Sequence, residues 1–328
     1  MSESTVPDPM DRPAFAGGLL RCPQHGRGPG ESAPDDSALY LDGRGLVCAA
    51  GHRFDLAAQG YVNLSTRAAP AAADTAAMVA ARVAVQDAGL HDELTAALGA
   101  AVLRVTTPTG DAVPVRAGGQ PDPRVLVDLG AGTGHHLSGV LHALTPASAE
   151  PDGAPPTSVA PIGIAVDISK YAARRAARAH PRIGSIVADV WGPLPIADAC
   201  ADIVLTVFAP RNRVELARIL RPGGHLVVAT PDPEHLQPLV DRLGLLQVGD
   251  DKLERLDAEL DGVVDRVGRT VVRTTHRLDH RLVRAVATMG PSAHHLDVVE
   301  LDRRIAELPE KVDVTQAVVV STYRREGA

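Results

Sequence analysis

Aromatic residues are scarce. The 328-residue chain holds three Phe, four Tyr and one Trp. A core of ordinary size must therefore be aliphatic, and each aromatic becomes a marked position. Lysine is nearly missing as well: Lys170, Lys252 and Lys311 stand among 33 basic residues, so positive charge here means arginine. There are only three cysteines, an odd number in a long chain, which excludes a disulfide framework. One of them, Cys200 between Ala199 and Ala201, reads as a small buried residue. No stretch approaches the roughly 20 apolar residues of a membrane span. Residues 1–13 are polar and acidic, without a signal-peptide pattern, so no membrane partner and a cytoplasmic location are expected. Nor is there a positive excess: the formal net charge is -7, which counts against a nucleic-acid partner, since phosphate binding needs local positive charge. The charge is uneven, however. Lys170, Arg174, Arg175, Arg178 and Arg182 form one basic stretch, and Arg266, Arg269, Arg273, Arg277, Arg281 and Arg284 form another. Taken singly, each reads first as a solvated face, although an acidic protein can still offer a basic one.

What is present centres on Val125-Leu126-Val127-Asp128-Leu129-Gly130-Ala131-Gly132-Thr133-Gly134. Three apolar residues run into an acid and then into glycines. That pattern predicts a buried parallel strand, a tight turn and a helix. The glycines at 130, 132 and 134 let the backbone turn and let a ligand approach without a Cβ in the way. A second strand at 162–167 ends in Asp167, where an acid can take ribose hydroxyls. The Gly-x-Gly-x-Gly spacing lacks the second gap of the dinucleotide fingerprint. It resembles motif I of S-adenosylmethionine (SAM)-dependent methyltransferases.

Two Cys/His pairs lie upstream, Cys22-x-x-His25 and Cys48-x-x-x-His52. Together they supply four nitrogen and sulfur ligands, which suits tetrahedral zinc. Residues 26–37 between them are rich in Gly, Pro, Ser and Asp and read as a loop, and residues 40–47 read as a hairpin delivering Cys48. A small metal module lacks a core of its own, so the metal supplies folding energy.

The chain then divides as follows. Residues 1–18 read as a disordered leader, 19–65 as the zinc-binding module, 66–123 as a helical linker region and 124–328 as the catalytic domain. Asp74-Thr75 can cap a helix that Gly89 ends, and a second helix runs from 92 to 105. Pro/Gly-rich stretches at 107–123 and 146–161 read as loops. Further strands are expected at 185–189, 202–208 and 226–230, with helices at 135–144, 169–180 and 215–220. Residues 231–236 should open another helix. Two closing strands, 269–278 and 314–323, flank helices at 279–289 and 297–308. Alternating strand and helix implies an α/β fold with a parallel sheet covered on both faces. Ligands in such sheets sit at the carboxyl ends of strands. The glycine loop, Asp167, Asp189 and Phe208-Ala209-Pro210 all fall at that edge.

From residue 21 onward the chain resembles the bacterial large-subunit rRNA (guanine-N1)-methyltransferases of the RlmA type, closest to the branch containing the tylosin-resistance methyltransferase. The matching stretches are 20–23, the Cys48/His52 knuckle with Phe54-Asp55 and 59–64, 74–89, 132–137, 174–181, 188–191, 207–212 and 287–292. The resemblance implies a Rossmann-like class I SAM-dependent methyltransferase sheet with an N-terminal zinc-binding module. It implies SAM and Zn²⁺ as cofactors, methylation of a guanine N1 in a hairpin loop of 23S rRNA, a link to macrolide resistance, and a two-fold dimer. It places Asp128, Gly130, Gly132, Thr133, Gly134, Asp167, Asp189 and Phe208 around the cofactor. His91 stands near an aromatic position beside the cofactor in relatives, and His235 matches a cofactor-contacting one. The family usually has Cys-x-x-Cys as its first knuckle, where this chain has His25. The guanine N1 proton must leave, and Asp189 and Asp232 are the candidate acceptors by position. Two other readings fit the residues. A small-molecule methyltransferase suits the negative charge and leaves the zinc module without a task. A non-enzymatic RNA-binding protein leaves the glycine loop and Asp167 without one.

Overall fold

The computed structural model describes residues 12–106, 123–145, 159–295 and 297–327. In chain order the elements are α1 (Pro13–Ala16), β1 (Tyr40–Asp42), β2 (Gly45–Val47), β3 (Arg53–Asp55), β4 (Tyr61–Asn63), α2 (Ala76–Asp87) and α3 (Asp92–Thr106). Then come β5 (Val125–Leu129), α4 (His135–Leu144), β6 (Ile162–Asp167), α5 (Lys170–Ala179), β7 (Ile183–Val187), β8 (Ala201–Val207), α6 (Arg213–Ile219) and β9 (Leu220–Pro231). The chain ends with α7 (Leu239–Leu243), α8 (Lys252–Leu260), β10 (Asp265–Asp279), α9 (His280–Thr288), α10 (Val298–Ala306) and β11 (Lys311–Arg324).

Local chemistry sets most of these boundaries. Thr75 caps α2 by accepting from the Met78 N–H at 3.2 Å, and Gly89 leaves the helix at φ +77°. Ser169, Asn212, Asp279 and Asp297 cap α5, α6, α9 and α10 in the same way. One expectation fails. Residues 231–236 do not open a helix; the next one begins at Leu239. Pro231, Pro233 and Pro238 remove N–H donors and push the residues before them out of helical backbone. Leu236 takes φ +63° instead, and its N–H donates to the Thr315 carbonyl at 2.7 Å.

The eight-stranded sheet has the order β10-β11-β9-β8-β5-β6-β7-β4. From β9 to β4 all pairs are parallel; β11 runs antiparallel to β9, and β10 to β11. β5, β7 and β8 are buried along their whole length, as a parallel sheet covered on both faces requires. Leu94, Leu98 and Val102 of α3 and Leu137, Val140 and Leu141 of α4 cover one face. Leu216 of α6 and Leu256 and Leu260 of α8 share the other with Leu20, Leu39, Leu46 and Leu56 from the Cys/His segment. A third cluster joins α2, α7, α9 and α10 above the ends of β10 and β11. Among the described residues no helix is long and apolar enough to cross a membrane.

Two domain expectations, the leader and the linker, differ from the structure. Residues 12–18 are not a leader: Arg12, Ala14 and Phe15 are buried, and Gly184 of β7 leaves room for Phe15, since a Cβ there would stand 3.0 Å from its ring. Residues 1–11 lie outside the described residues. The segment 19–65 is continuous with the sheet: β4 adds a parallel strand beside β7, and the segment's leucines share the sheet's core. The stretch 66–123 is not a linker where it is described: α2 packs on α9 and α5, and α3 packs on α4. Each correction has one cause. An amphipathic segment without its own core buries its apolar side on the nearest large sheet. The loops expected at 107–123 and 146–161 lie almost wholly outside the described residues.

Candidate metal centre and cofactor cavity

The hairpin β1–β2 and strand β3 bring Cys48 and His52 together, and a single turn of 3-10 helix from Pro23 to His25 sets Cys22 beside them. The four ligand atoms lie within 4.8 Å of one another. Cys22 Sγ is 3.5 Å and Cys48 Sγ 3.4 Å from His52 Nδ1, and His25 Nε2 is 3.5 Å from Cys48 Sγ. Tetrahedral zinc, with bonds of about 2.3 Å to sulfur and about 2.05 Å to nitrogen, separates S and N by about 3.5 Å. The donor set fits that ion in type and spacing. Asp36 Oδ1 stands 3.5 Å from His25 Nδ1, which turns Nε2 toward the centre. The departure from Cys-x-x-Cys thus brings its own orienting carboxylate.

The second site is a cavity of about 780 Å³ over the carboxyl ends of the strands. Asp128, the loop 130–133, Asp167, Asp189, Phe208 and His235 all line it, together with His91. Gly134 closes the loop from behind. At φ +76° it would put a Cβ 2.9 Å from the Ala176 Cα, and at φ +72° Gly130 would put one 2.5 Å from the Ala209 Cβ. Alanine at either position meets both strain and collision. Asp167 holds the loop: its Oδ2 accepts from the Gly132 N–H and its Oδ1 from the Ser169 N–H, each at 2.8 Å. Burial raises its carboxyl, and these two bonds oppose the rise.

Asp128 is 1% exposed, and its Oδ1 has no hydrogen-bond partner. Burial, reinforced by the charge of Asp167, pushes its carboxyl up to about 8. A buried, unpaired carboxylate facing a cavity calls for a cationic ligand group. The ammonium of SAM's amino-acid end fits that need, and the diol of its ribose fits Asp167.

The remaining candidates divide. Asp189 lines the cavity while its Oδ1 accepts from the Trp191 N–H at 2.9 Å. Phe208 adopts φ +54°, a strained backbone for a non-glycine residue, and its ring lies 5.6 Å from that of His235. Asp232 is not among the cavity-lining residues; it accepts from the Glu234 N–H at 3.1 Å and turns the chain. His91 stacks on His136 at 5.4 Å and 24°, and His136 Nδ1 meets Thr95 Oγ1 at 2.8 Å.

Sequence reasoning missed the wall supplied by α2. Gln86 Oε1 accepts from Thr133 Oγ1 at 2.8 Å, so this helix fastens the glycine loop. Arg82 pairs with Asp74 at 2.6 Å and donates to the Met289 carbonyl at 2.8 Å, which ties α2 to the end of α9. The i, i+4 spacing of Arg82 and Gln86 was the available signal. His276 of β10 and Gln316 of β11 also line the cavity, and no local pattern marks them.

Burial holds His91 down to about 3, and His180, His225 and His235 to about 4. These rings are neutral in the folded chain, whereas the unfolded chain takes up protons below about pH 6.5. Stability should therefore fall as pH drops from about 6.5 toward 4. Denaturation at pH 7 and pH 5 checks this, and His91→Phe should reduce the difference.

A family model described as RlmA, N-terminal, matches residues 35–65. The chain is 46% identical over 305 residues to the 23S rRNA (guanine(748)-N(1))-methyltransferase of Streptomyces fradiae, with 93% of this chain and 96% of that one covered. It is also 46% identical over 310 residues to a Micromonospora griseorubida protein provisionally named a 23S rRNA (guanine-N(1)-)-methyltransferase, covering 93% and 97%. A SAM-dependent methyltransferase from Geobacter sulfurreducens, solved with S-adenosyl-L-homocysteine, superposes with a TM-score of 0.39 at 15% identity over 71% of this chain and 90% of that one.

Proposed function

The chain belongs to the 23S rRNA (guanine-N1)-methyltransferases, and from that premise we propose that the cavity holds SAM along the glycine loop while the target guanine enters beside it. The activity is SAM-dependent methylation of a guanine N1 in 23S rRNA, with zinc in the Cys/His centre. The observation that carries the reading is convergence. Asp128, Asp167, Asp189 and Phe208 come from the ends of four different strands and line one cavity with the loop.

Asp128 would hold the ammonium of the cofactor and Asp167 the ribose hydroxyls. Asp189 meets the adenine side, and Gln86 keeps the loop in place through Thr133. Bound SAM supplies an electrophilic methyl on sulfonium sulfur. For the methyl to reach it, the guanine N1 would have to give its proton to a group of the cavity. With Asp189 on the adenine side, the acceptor left in the cavity is the neutral ring of His235, whose Nδ1 is buried without a partner. Much of the acceleration comes from aligning nitrogen, methyl and sulfur.

The substrate guanine lies in a hairpin loop, where an unpaired base can be splayed from its stack at little cost. The position corresponds to guanine 748, as in the Streptomyces fradiae relative's name. Incubation of labelled SAM with unmodified 23S rRNA, followed by mapping of N1-methylguanine, tests both points. Label at that single guanine is expected; label in a metabolite alone, or at another base, overturns the assignment.

A further inference from the structure

The two basic stretches of the sequence meet different fates in the fold. In the second, Arg266 and Arg269 are held by Asp257 at 2.7 and 2.8 Å, Arg284 by Asp302 at 3.1 Å, and Arg273 by Glu234. Elsewhere arginines are matched in the same way: Arg82 by Asp74, Arg211 by Glu259, Arg218 by Glu215 and Asp198, Arg221 by Asp202. A chain with net charge -7 has carboxylates to spare for this. Of the second stretch, Arg277 and Arg281 alone have no carboxylate partner among the described residues, one on β10 and one on α9, whereas helix α5 gathers its unmatched cations on a single face. Lys170, Arg174, Arg175 and Arg178 are all exposed, and among the described residues none has a carboxylate within 4.0 Å.

Helix geometry makes these cations one surface. At about 100° per residue, positions 170, 171, 174, 175 and 178 fall within an arc of about 140°. Ala172, Ala173, Ala176 and Ala177 occupy the opposite arc and are fully buried. The small buried side draws the helix close to the sheet and leaves the long cations standing outward. The location matters as much as the charge. The first turn of α5 follows Asp167 and Ile168, which line the cavity, and the helix packs against β4 of the zinc-bearing segment. β6 and β7 are neighbours, so Trp191, which follows β7 and is 63% exposed, flanks the same stretch of the cavity mouth. Tyr171, 42% exposed, stands within the ridge itself.

We propose that the outward face of α5 is the docking surface for the phosphate backbone of the substrate RNA, with Trp191 offering a stacking face to an unpaired base at the cavity mouth. The inference rests on the reading of the substrate as rRNA, and it assigns the contact to α5 rather than to β10. An unpaired cationic ridge leading to an exposed aromatic beside a base-sized opening is the arrangement that single-stranded RNA fits.

The test compares the full-length protein with Arg174→Ala/Arg175→Ala/Arg178→Ala and with the same three positions changed to Lys. An rRNA hairpin transcript is the probe, titrated at several salt concentrations, and SAM binding is measured in parallel. The alanine variant should bind the hairpin about 10- to 100-fold more weakly at moderate salt, and its log–log salt slope should be smaller by about 2–3. The lysine variant should keep most of the affinity, since a phosphate contact needs charge more than fork geometry. Arg277→Ala/Arg281→Ala on the β10 side should bind as wild type. SAM affinity should be unchanged throughout, which also reports folding. Equal hairpin binding and salt slope in the alanine variant and wild type would overturn the surface while leaving the substrate reading intact. Failure of the wild-type protein to bind or methylate the hairpin would overturn both.

Discussion

Replacing Cys48 by alanine should strip the metal and loosen far more than the knuckle. Zinc content is expected to fall from about one per chain to near zero. A three-ligand remnant loses a thiolate bond, and structural zinc sites carry about 10–16 kcal/mol of apparent binding free energy at neutral pH. The centre contributes this as folding energy, because β1, β2 and β3 are three-residue strands that cannot hold a sheet by themselves. The consequences reach the catalytic sheet. Leu20, Leu39, Leu46 and Leu56 share one buried cluster with Val127, Ile164, Val166 and Ile186 of β5, β6 and β7. Releasing the knuckle uncovers that face and frees β4 from the edge of β7. Amide exchange should therefore speed up at Val62 and Leu64 and also along β7, and the unfolding midpoint should drop by far more than a surface substitution explains. His25→Ala should go the same way to a smaller extent. Metal analysis with hydrogen exchange reads both; a variant that keeps zinc and exchanges like wild type would show that the ribbon folds without its fourth ligand.

The elements that were legible in the sequence are those fixed by neighbours along the chain. Thr75 and Gly89 delimit α2 because a cap and a left-handed exit are local matters. Asp128, the loop 130–134 and Asp167 could be placed together because parallel strands in such a fold deliver their last residues to one edge. The convergence of Cys22, His25, Cys48 and His52 was legible for a similar reason: each pair spans one turn. Pairing over long separations left no such mark. β4 is three residues long, and nothing in Tyr61-Val62-Asn63 says that its partner lies about 120 residues on, at 185–187. Gln86 shares a helix face with Arg82 at i, i+4, yet nothing along the chain says that this face meets Thr133 until α2 packs on α9. His91 and His136 carry no spacing signal either; their stacking follows from how α3 and α4 meet. The basic runs make the same point from the other side. As sequences they look equivalent, and only the placement of Asp257, Glu234 and Asp302 shows that four of the six arginines in the second run are matched while the face of α5 is free.

Asp128→Asn should move stability and cofactor affinity in opposite directions. The wild-type carboxyl stands at about 8 in the folded chain because burial and the charge of Asp167 oppose its ionisation. In the unfolded chain an aspartate titrates near 3.9. The folded state therefore holds a proton that the unfolded state has released, throughout the window from about pH 4 to about pH 8. Within that window the contribution of Asp128 to stability falls as pH rises, opposite in sign to that of the buried histidines. Asparagine keeps the shape and removes the titration. Without cofactor, the variant should gain on wild type as pH climbs from 5 to 8, and the two should converge near pH 4. SAM reverses the ranking. Its ammonium favours the ionised carboxylate, so wild-type affinity should increase with pH up to about 8. The variant loses a charge-assisted bond of about 1.5–3 kcal/mol, which is roughly 10- to 100-fold in affinity. Its binding should also lose the pH dependence over that range. Thermal unfolding without cofactor and calorimetric titration of SAM, each at pH 5 and pH 8, separate the two effects. Wild-type SAM affinity in the variant at both pH values would place the ammonium elsewhere in the cavity. A stability gain without any loss of binding would mean that Asp128 is a buried acid whose cost to the fold is unrelated to the cofactor.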